Sequence, residues 1–232
     1  MYYHLSPYAK RLRIEELILS HCLSVGFTTE KIASMLIPSS RADYCSRLAK
    51  RGLLRLTKEY EDRPAFYLLT RDGYELAQNW AKRPLRHISE ARKITRAHFA
   101  HEHFIAEIAA YQISQGEIDD VIIPRMVEPF ITESYCKYKR FDAILLVHQT
   151  PLTEGKVIGV EYENGDWKTG QDLINFVDKL KLSLLNQAVT HVEVYTNGVA
   201  KRNYYMREIE RRFHPSALER TVVLAKEQLT LE

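Results

Sequence analysis

Three carboxylates of the chain, Asp142, Glu161 and Glu163, have the residue types and spacing of a site for a divalent cation. Asp142 lies near the start of an apolar run, Phe141 to Val147, where a carboxylate is costly without a partner. Glu161 and Glu163 flank Tyr162, so on a strand both side chains point to the same face. Carboxylates that lie close together repel one another unless they are protonated or bridged by a cation. Because sites made only of oxygen ligands favour Mg²⁺ or Mn²⁺, the sequence predicts a site for one of these ions.

Lysine and histidine side chains on two predicted helices could complete such a site. Lys168 and Lys179 lie on a helix predicted over residues 168–187, where an ammonium group could neutralise the same charge. His98 and His101 share one face of a helix predicted over 97–111, and His101 is a candidate ligand or proton carrier. A helical histidine can equally be a packing or surface residue.

The elements predicted to position these residues form a mixed α/β core. After the helix at 97–111, we expect strands at 121–131, 140–147 and 157–163. The nearly all-apolar second strand is expected to be central in the sheet. The remaining predicted elements are the helix at 168–187, a strand at 191–196, a helix at 201–212 and a strand at 221–225.

The N-terminal part has the pattern of a winged helix-turn-helix domain. Apolar residues recur at helical spacing over 11–25, a second short helix buries Ile32, Met35 and Leu36, and a third helix spans about 40–51. Strands at 53–56 and 65–70 form a hairpin, and a further helix ends near Trp80. The outward side of the third helix carries the candidate DNA contacts Arg41, Arg47, Lys50 and Arg51. Because winged helices also bind proteins, a protein-contacting surface remains the alternative.

Charge divides the chain in the same place as the elements do. Residues 1–100 contain 18 Lys and Arg against 10 Asp and Glu, while the remainder contains 15 against 20. A basic first part suits a polyanion such as DNA, and an acidic second part suits cations. We therefore predict a winged-helix domain at 1–82, a linker at 83–94 and a catalytic domain at 95–232, in the α+β or α/β class. No apolar run reaches the roughly 20 residues of a membrane helix. With three widely separated cysteines, the chain is expected to be cytoplasmic, without membrane insertion.

Taken in order, these motifs resemble those of a known nuclease group. Asp142, then Glu161-Tyr162-Glu163, then a lysine on the next helix, resemble the PD-(D/E)xK restriction-endonuclease superfamily. A winged helix ahead of such a core is similar to the plasmid replication-relaxation proteins, and especially to plasmid mobilisation relaxases of the MOB-C type. The resemblance covers about residues 10–225.

The resemblance implies a relaxase that nicks one DNA strand at a plasmid origin of transfer to initiate conjugative mobilisation. It implies Mg²⁺ or Mn²⁺, a relaxosome accessory protein and a coupling protein, with Asp142 and Glu161 as metal ligands. Glu163 stands where restriction enzymes usually have lysine, and Lys179 is the first candidate for a lysine displaced onto the helix, with Lys168 second.

Three functional alternatives remain open at this point. The Tyr204-Tyr205 pair could supply a nucleophile, but no H-x-D-x-H pattern accompanies it, so water is the expected nucleophile. A non-catalytic plasmid DNA-binding regulator with a degenerate nuclease fold is the main alternative to the relaxase. A restriction enzyme that cuts both strands is the third.

Overall fold

The computed structural model describes residues 6–37, 43–57, 65–88, 96–150 and 154–228. The chain divides into two compact units, Met1–Glu117 and Ile118–Glu232. Helices and strands occur in both units, and the larger sheet is mixed, so the predicted α+β class is confirmed. In the part of the chain that the structure describes, no helix combines the length and apolar character needed to cross a membrane.

The described residues of the first unit form three helices, then a two-stranded hairpin, then two further helices. These elements are α1 (Pro7–Val25), α2 (Glu30–Leu36), α3 (Tyr44–Lys50), β1 (Leu54–Thr57), β2 (Phe66–Leu69), α4 (Arg71–Gln78) and α5 (Arg96–Gln115). Strands β1 and β2 are antiparallel. The predicted order of elements is therefore present. Helix α3 begins later than expected, and residues 38–42 lie outside the described part of the chain.

A single glutamate fixes the start of α3. Glu30 on α2 accepts hydrogen bonds from the backbone N–H groups of Cys45 (3.0 Å) and Ser46 (2.9 Å). These groups lie in the first turn of α3, where backbone donors have no partner within the helix. The Ser46 hydroxyl donates to the same carboxylate at 2.8 Å. The Glu30 carboxylate on α2 therefore caps α3 and sets where α3 begins.

Helix α5 belongs to the first unit, whereas we had placed it at the start of a second domain beginning at 95. Its residues complete the first core: the Phe99 ring lies 5.4 Å from Phe27 and 5.3 Å from Phe66. His21 on α1 contacts the Ala106 carbonyl at 3.1 Å. The pattern of apolar residues reports that a helix has a buried face, but it does not report which domain covers that face.

The predicted linker at 83–94 also differs from expectation where the structure describes it. Leu85 is buried, and His87 stacks on Tyr74 with ring centroids 4.7 Å apart. The Tyr74 hydroxyl donates to the Leu85 carbonyl at 3.1 Å. Residues up to 88 therefore pack on the first unit, and residues 89–95 lie outside the described ranges.

The second unit is a mixed sheet with helices in its crossover connections. Its elements are β3 (Asp120–Ile122), α6 (Pro129–Thr132), β4 (Ala143–Val147), β5 (Lys156–Glu163), α7 (Gly170–Leu185), β6 (His191–Thr196), α8 (Val199–Arg212), α9 (Pro215–Leu218) and β7 (Thr221–Ala225). The strand order is β3-β4-β5-β6-β7. Strands β3, β4 and β5 pair antiparallel, and β5, β6 and β7 pair parallel. Parallel neighbours need long crossovers, which α7 and α8 supply.

Two predicted boundaries in this unit were wrong. The strand expected at 121–131 ends at Ile122, because Pro124 and Pro129 remove backbone donors and begin a 3-10 turn and the short helix α6. The helix expected from 168 begins at Gly170, so Lys168 lies in the loop before α7. Asp142 directly precedes β4.

Candidate functional site

Asp142 is held at the junction of β4 and β5 by two hydrogen bonds. Its backbone N–H donates to the Val160 carbonyl at 3.0 Å, which continues the ladder between the two strands. Its Oδ2 accepts the backbone N–H of Tyr162 at 2.8 Å. The second bond places the Asp142 carboxylate beside the segment of β5 that carries Glu161 and Glu163. We call these three residues the carboxylate cluster.

Glu161 is a buried carboxylate with only one of its two oxygens satisfied. The side chain is buried, with a residue exposure of 4%, and its Oε2 binds Lys139 Nζ at 2.8 Å. Its Oε1 is buried and has no hydrogen-bond partner among the described residues. Burial, reinforced by the negative charge of Asp142, raises the pKa of Glu161 to about 8. The site therefore disfavours the ionised form of Glu161 unless further positive charge reaches Oε1.

Glu163 differs from Glu161 in that both of its oxygens have donors. Lys168 Nζ binds both carboxylate oxygens, and the Tyr205 hydroxyl donates to Oε2 at 3.2 Å. Lys168 reaches Glu163 from the loop between β5 and α7. Glu163 is predicted to be a metal ligand, and in the structure its carboxylate pairs with the ammonium group of Lys168.

Two lysines approach the carboxylate cluster around one phenylalanine of α7. Lys139 Nζ lies 5.1 Å and Lys168 Nζ 4.9 Å from the centre of the Phe176 ring. Lys139 Nζ also lies 5.9 Å from the centre of the Phe141 ring. Aromatic faces attract cations and exclude water. The rings therefore hold both ammonium groups in a setting where charge interactions are stronger than in water.

The glycine at 159 makes room for the ring that precedes Asp142. A Cβ at Gly159 would lie 2.6 Å from Cε1 and Cζ of Phe141, closer than side-chain atoms can approach. The buried Phe141 ring covers the face of β5 at Gly159. Glu161 follows Gly159 by two residues, so its side chain lies on the same face of the strand. The Phe141 ring can approach the strand this closely only because position 159 has no side chain.

The loop that carries Lys168 is anchored by α8. Lys201 Nζ donates to the Gly165 carbonyl at 2.9 Å, and the Lys168 backbone N–H donates to the Tyr205 hydroxyl at 3.4 Å. Lys201 is only 1% exposed, and burial lowers its pKa. Two residues of one helix therefore set the position of the loop.

The two remaining candidates lie on helices, Lys179 on α7 and His101 on α5. Lys179 is exposed on α7, and it forms no ion pair with Glu161 or Glu163 in the described structure. His101 is half-buried on α5, which belongs to the first unit, whereas the carboxylate cluster belongs to the second. The structure thus brings together Asp142, Glu161, Glu163 and Lys168.

The four candidate DNA contacts on the third helix have different environments. Lys50 is exposed, and Arg47 is exposed with its Nε 2.8 Å from Asp43 Oδ2. Arg51 binds the buried carboxylate of Glu15 on α1, so its guanidinium also has a structural role. Arg41 lies outside the described residues.

Sequence reasoning missed Lys139, Tyr205 and Lys201. Lys139 stands three residues before Asp142, and this proximity along the chain was a usable signal. Tyr205 was considered only as a nucleophile. Lys201 gave no signal, because a lysine at the start of a helix is usually solvated.

No protein-family model, no curated protein and no solved structure matches the chain. Over the described ranges, no group of three or more His, Cys, Asp or Glu side chains is arranged to hold a metal ion. Inferences about function therefore rest on the carboxylate cluster and its lysines.

The raised pKa of Glu161 predicts how stability depends on pH. In the unfolded chain Glu161 ionises near 4.5, whereas in the folded protein it keeps its proton until about pH 8. Between these values the unfolded state binds fewer protons, so the free energy of unfolding falls as pH rises, by up to about 1.4 kcal/mol per pH unit for this group. Relative to Glu161→Gln, the wild type should lose stability from pH 5 to pH 8. Urea unfolding in EDTA measures the difference, and parallel profiles for the two proteins would contradict it.

Proposed function

We propose that the chain is a metal-dependent DNA endonuclease, and specifically a relaxase that nicks one strand at a plasmid origin of transfer. The observation that carries the proposal is the buried Glu161 Oε1, which has no described partner although Asp142 brings a second negative charge close to it. A divalent cation bound by Asp142 and Glu161 would satisfy that oxygen and remove the repulsion. Oxygen donors of this kind suit Mg²⁺ or Mn²⁺.

Each residue of the cluster has a distinct part in the proposed reaction. Bound to Asp142 and Glu161, the cation would supply Lewis acidity and would lower the pKa of a bound water. Lys168 neutralises charge that develops on the phosphate, and Glu163 holds its ammonium group in position. Tyr205 orients Glu163 and is fully buried, so we assign the attack on phosphorus to water.

In this proposal the first unit binds DNA. Three helices followed by an antiparallel hairpin are the elements of a winged helix-turn-helix, and the exposed Arg47 and Lys50 share α3. The proposed partners are the DNA of the transfer origin, a relaxosome accessory protein and a coupling protein.

A non-catalytic DNA-binding protein is the second candidate. Lys139 and Lys168 already place ammonium groups on Glu161 and Glu163 without any metal ion. A degenerate nuclease fold could keep such pairs for stability alone. One assay separates the two functions.

The test incubates the purified protein with supercoiled plasmid carrying its transfer origin, in Mg²⁺, in Mn²⁺ and in EDTA. The proposal expects relaxed circles in the presence of metal and none in EDTA. Linear product would instead indicate a restriction enzyme. Binding of the plasmid without cleavage in either metal would support the regulator and contradict both enzymes.

A further inference from the structure

Trp167 presents an aromatic ring to solvent one residue before Lys168, which binds Glu163 of the carboxylate cluster. The residue is 48% exposed and lies in the loop between β5 and α7. Its ring contacts Tyr204 on α8, with centroids 5.3 Å apart and planes inclined by 39°. Burial of a tryptophan ring contributes a large favourable free energy to folding, and the half-exposed Trp167 ring gains only about half of it. Burial in the core of the second unit therefore does not account for a tryptophan at position 167.

The position of this ring is set before any ligand binds. The residues on either side are tied to the protein: Lys201 binds the Gly165 carbonyl at 2.9 Å, and Lys168 binds Glu163. Tyr204 is held in turn against Tyr205, with ring centroids 6.1 Å apart in an edge-on arrangement. Since these ties order the loop in advance, a ligand that stacks on the ring has little ordering cost.

Exposed arginines continue the same face of α8. Tyr204, Arg207 and Arg211 are spaced three and four residues apart, so they lie one above another on the helix. Arg207 is exposed, and the Arg211 side chain is 74% exposed with only a long contact of 3.5 Å to Glu208. A surface pair of this kind contributes little and leaves the arginine available to an anion. The face therefore combines an aromatic surface with positive charge.

We propose that Trp167 and Tyr204 form a stacking surface for an unpaired base of a single DNA strand, whose phosphates bind Arg207 and Arg211. This stacking surface rests on the proposed nuclease function, because it takes DNA as the ligand. Aromatic side chains bind single strands by stacking on successive bases, and the bases of a duplex already stack on one another. The arginines favour a polyanion over an apolar peptide. A base held here places the strand beside Lys168, the residue next to Trp167.

The two tryptophans of the chain make a direct test possible. The Trp80→Phe variant leaves Trp167 as the sole indole, and its fluorescence is followed in EDTA, so that metal-dependent cleavage does not interfere. An oligothymidylate of about 12 nucleotides, within the usual range of single-strand sites, should quench the signal to saturation. A blunt duplex of the same length should not.

Affinity variants extend the test, with fluorescence anisotropy of a labelled strand as the readout. Trp167→Ala should weaken single-strand binding about tenfold, and Trp167→Phe should retain most of it. Phe130→Ala is the matched control, because Phe130 is an aromatic of the same unit that is 73% exposed, and it should bind as the wild type does. Exchanging Arg207 and Arg211 for glutamine should make the negative slope of log affinity against log salt shallower by about 1.4.

Two results would overturn the stacking surface: wild-type affinity in Trp167→Ala, or equal quenching by duplex and single strand. These results are independent of catalysis, because the measurements need no metal. A protein that binds single strands through Trp167 but never nicks a plasmid would contradict only the nuclease proposal. A protein that nicks while Trp167→Ala binds normally would contradict only the stacking surface.

Discussion

Glu161→Gln and Asp142→Asn are each expected to lower plasmid nicking by roughly 10³-fold, the scale on which charge-stabilising groups act in active sites. Both changes keep the size of the side chain and replace a charged oxygen donor with a neutral amide. In the Asp142→Asn variant the amide oxygen can still accept the backbone N–H of Tyr162, which Asp142 accepts at 2.8 Å. The expected loss therefore reports the missing negative charge and not a broken strand junction.

Asp119→Asn is the matched control for the aspartate. Asp119 also lies in the second unit and also accepts a backbone N–H, from His148 at 2.7 Å, but its side chain is half exposed. The assay compares initial rates of nicking in Mn²⁺, with circular dichroism to verify folding. If Asp119→Asn keeps its activity and the two site variants also nick at the wild-type rate, the carboxylate cluster is not the site of cleavage.

Lys168→Met is expected to lower nicking by about 10²-fold, the lower end of the range for removing one electrostatic contact in an active site. Lys168 Nζ is the ammonium group that binds Glu163. Methionine keeps the aliphatic stem and the contact with the Phe176 face but removes the charge. Binding of the plasmid in EDTA should change little, so the loss should appear in the rate of the cleavage step.

Lys179→Met distinguishes the two lysines that the sequence offered. Lys179 is exposed on α7, and the same substitution there removes the same charge away from Glu163. This variant should nick at the wild-type rate. If Lys179→Met loses nicking and Lys168→Met retains it, the catalytic lysine is Lys179 on α7 and not Lys168 in the loop.

Local chemistry made much of the secondary structure predictable. The strand at 191–196 and the strand at 221–225 were predicted with the observed bounds, because short runs of β-branched and apolar residues have few alternatives. The strand expected at 121–131 was wrong beyond Ile122, because Pro124 and Pro129 remove backbone donors and begin a 3-10 turn and α6. Helix α5 was predicted as a helix but assigned to the wrong unit.

The candidate site was predictable only in part. Asp142 and Glu161 could be paired from sequence, because two neighbouring antiparallel strands bring the end of one beside the other. The loop position of Lys168 could not be predicted, since it depends on where α7 begins and on a hydrogen bond to Tyr205, 37 residues away. Lys201 could not be predicted for the same reason, because its role is a single contact from α8 with the Gly165 carbonyl in the loop before α7.

By itself, the sequence determined which carboxylates could act together, because the two-residue period of a strand and a charge within an apolar run are local properties. Only the tertiary structure decided how those carboxylates differ. Glu163 received two donors, whereas Glu161 received Lys139 on one oxygen and kept a buried oxygen with no described partner on the other side. That difference arises from which loops and helices pack above β5, and the spacing of residues along the chain carries no information about it.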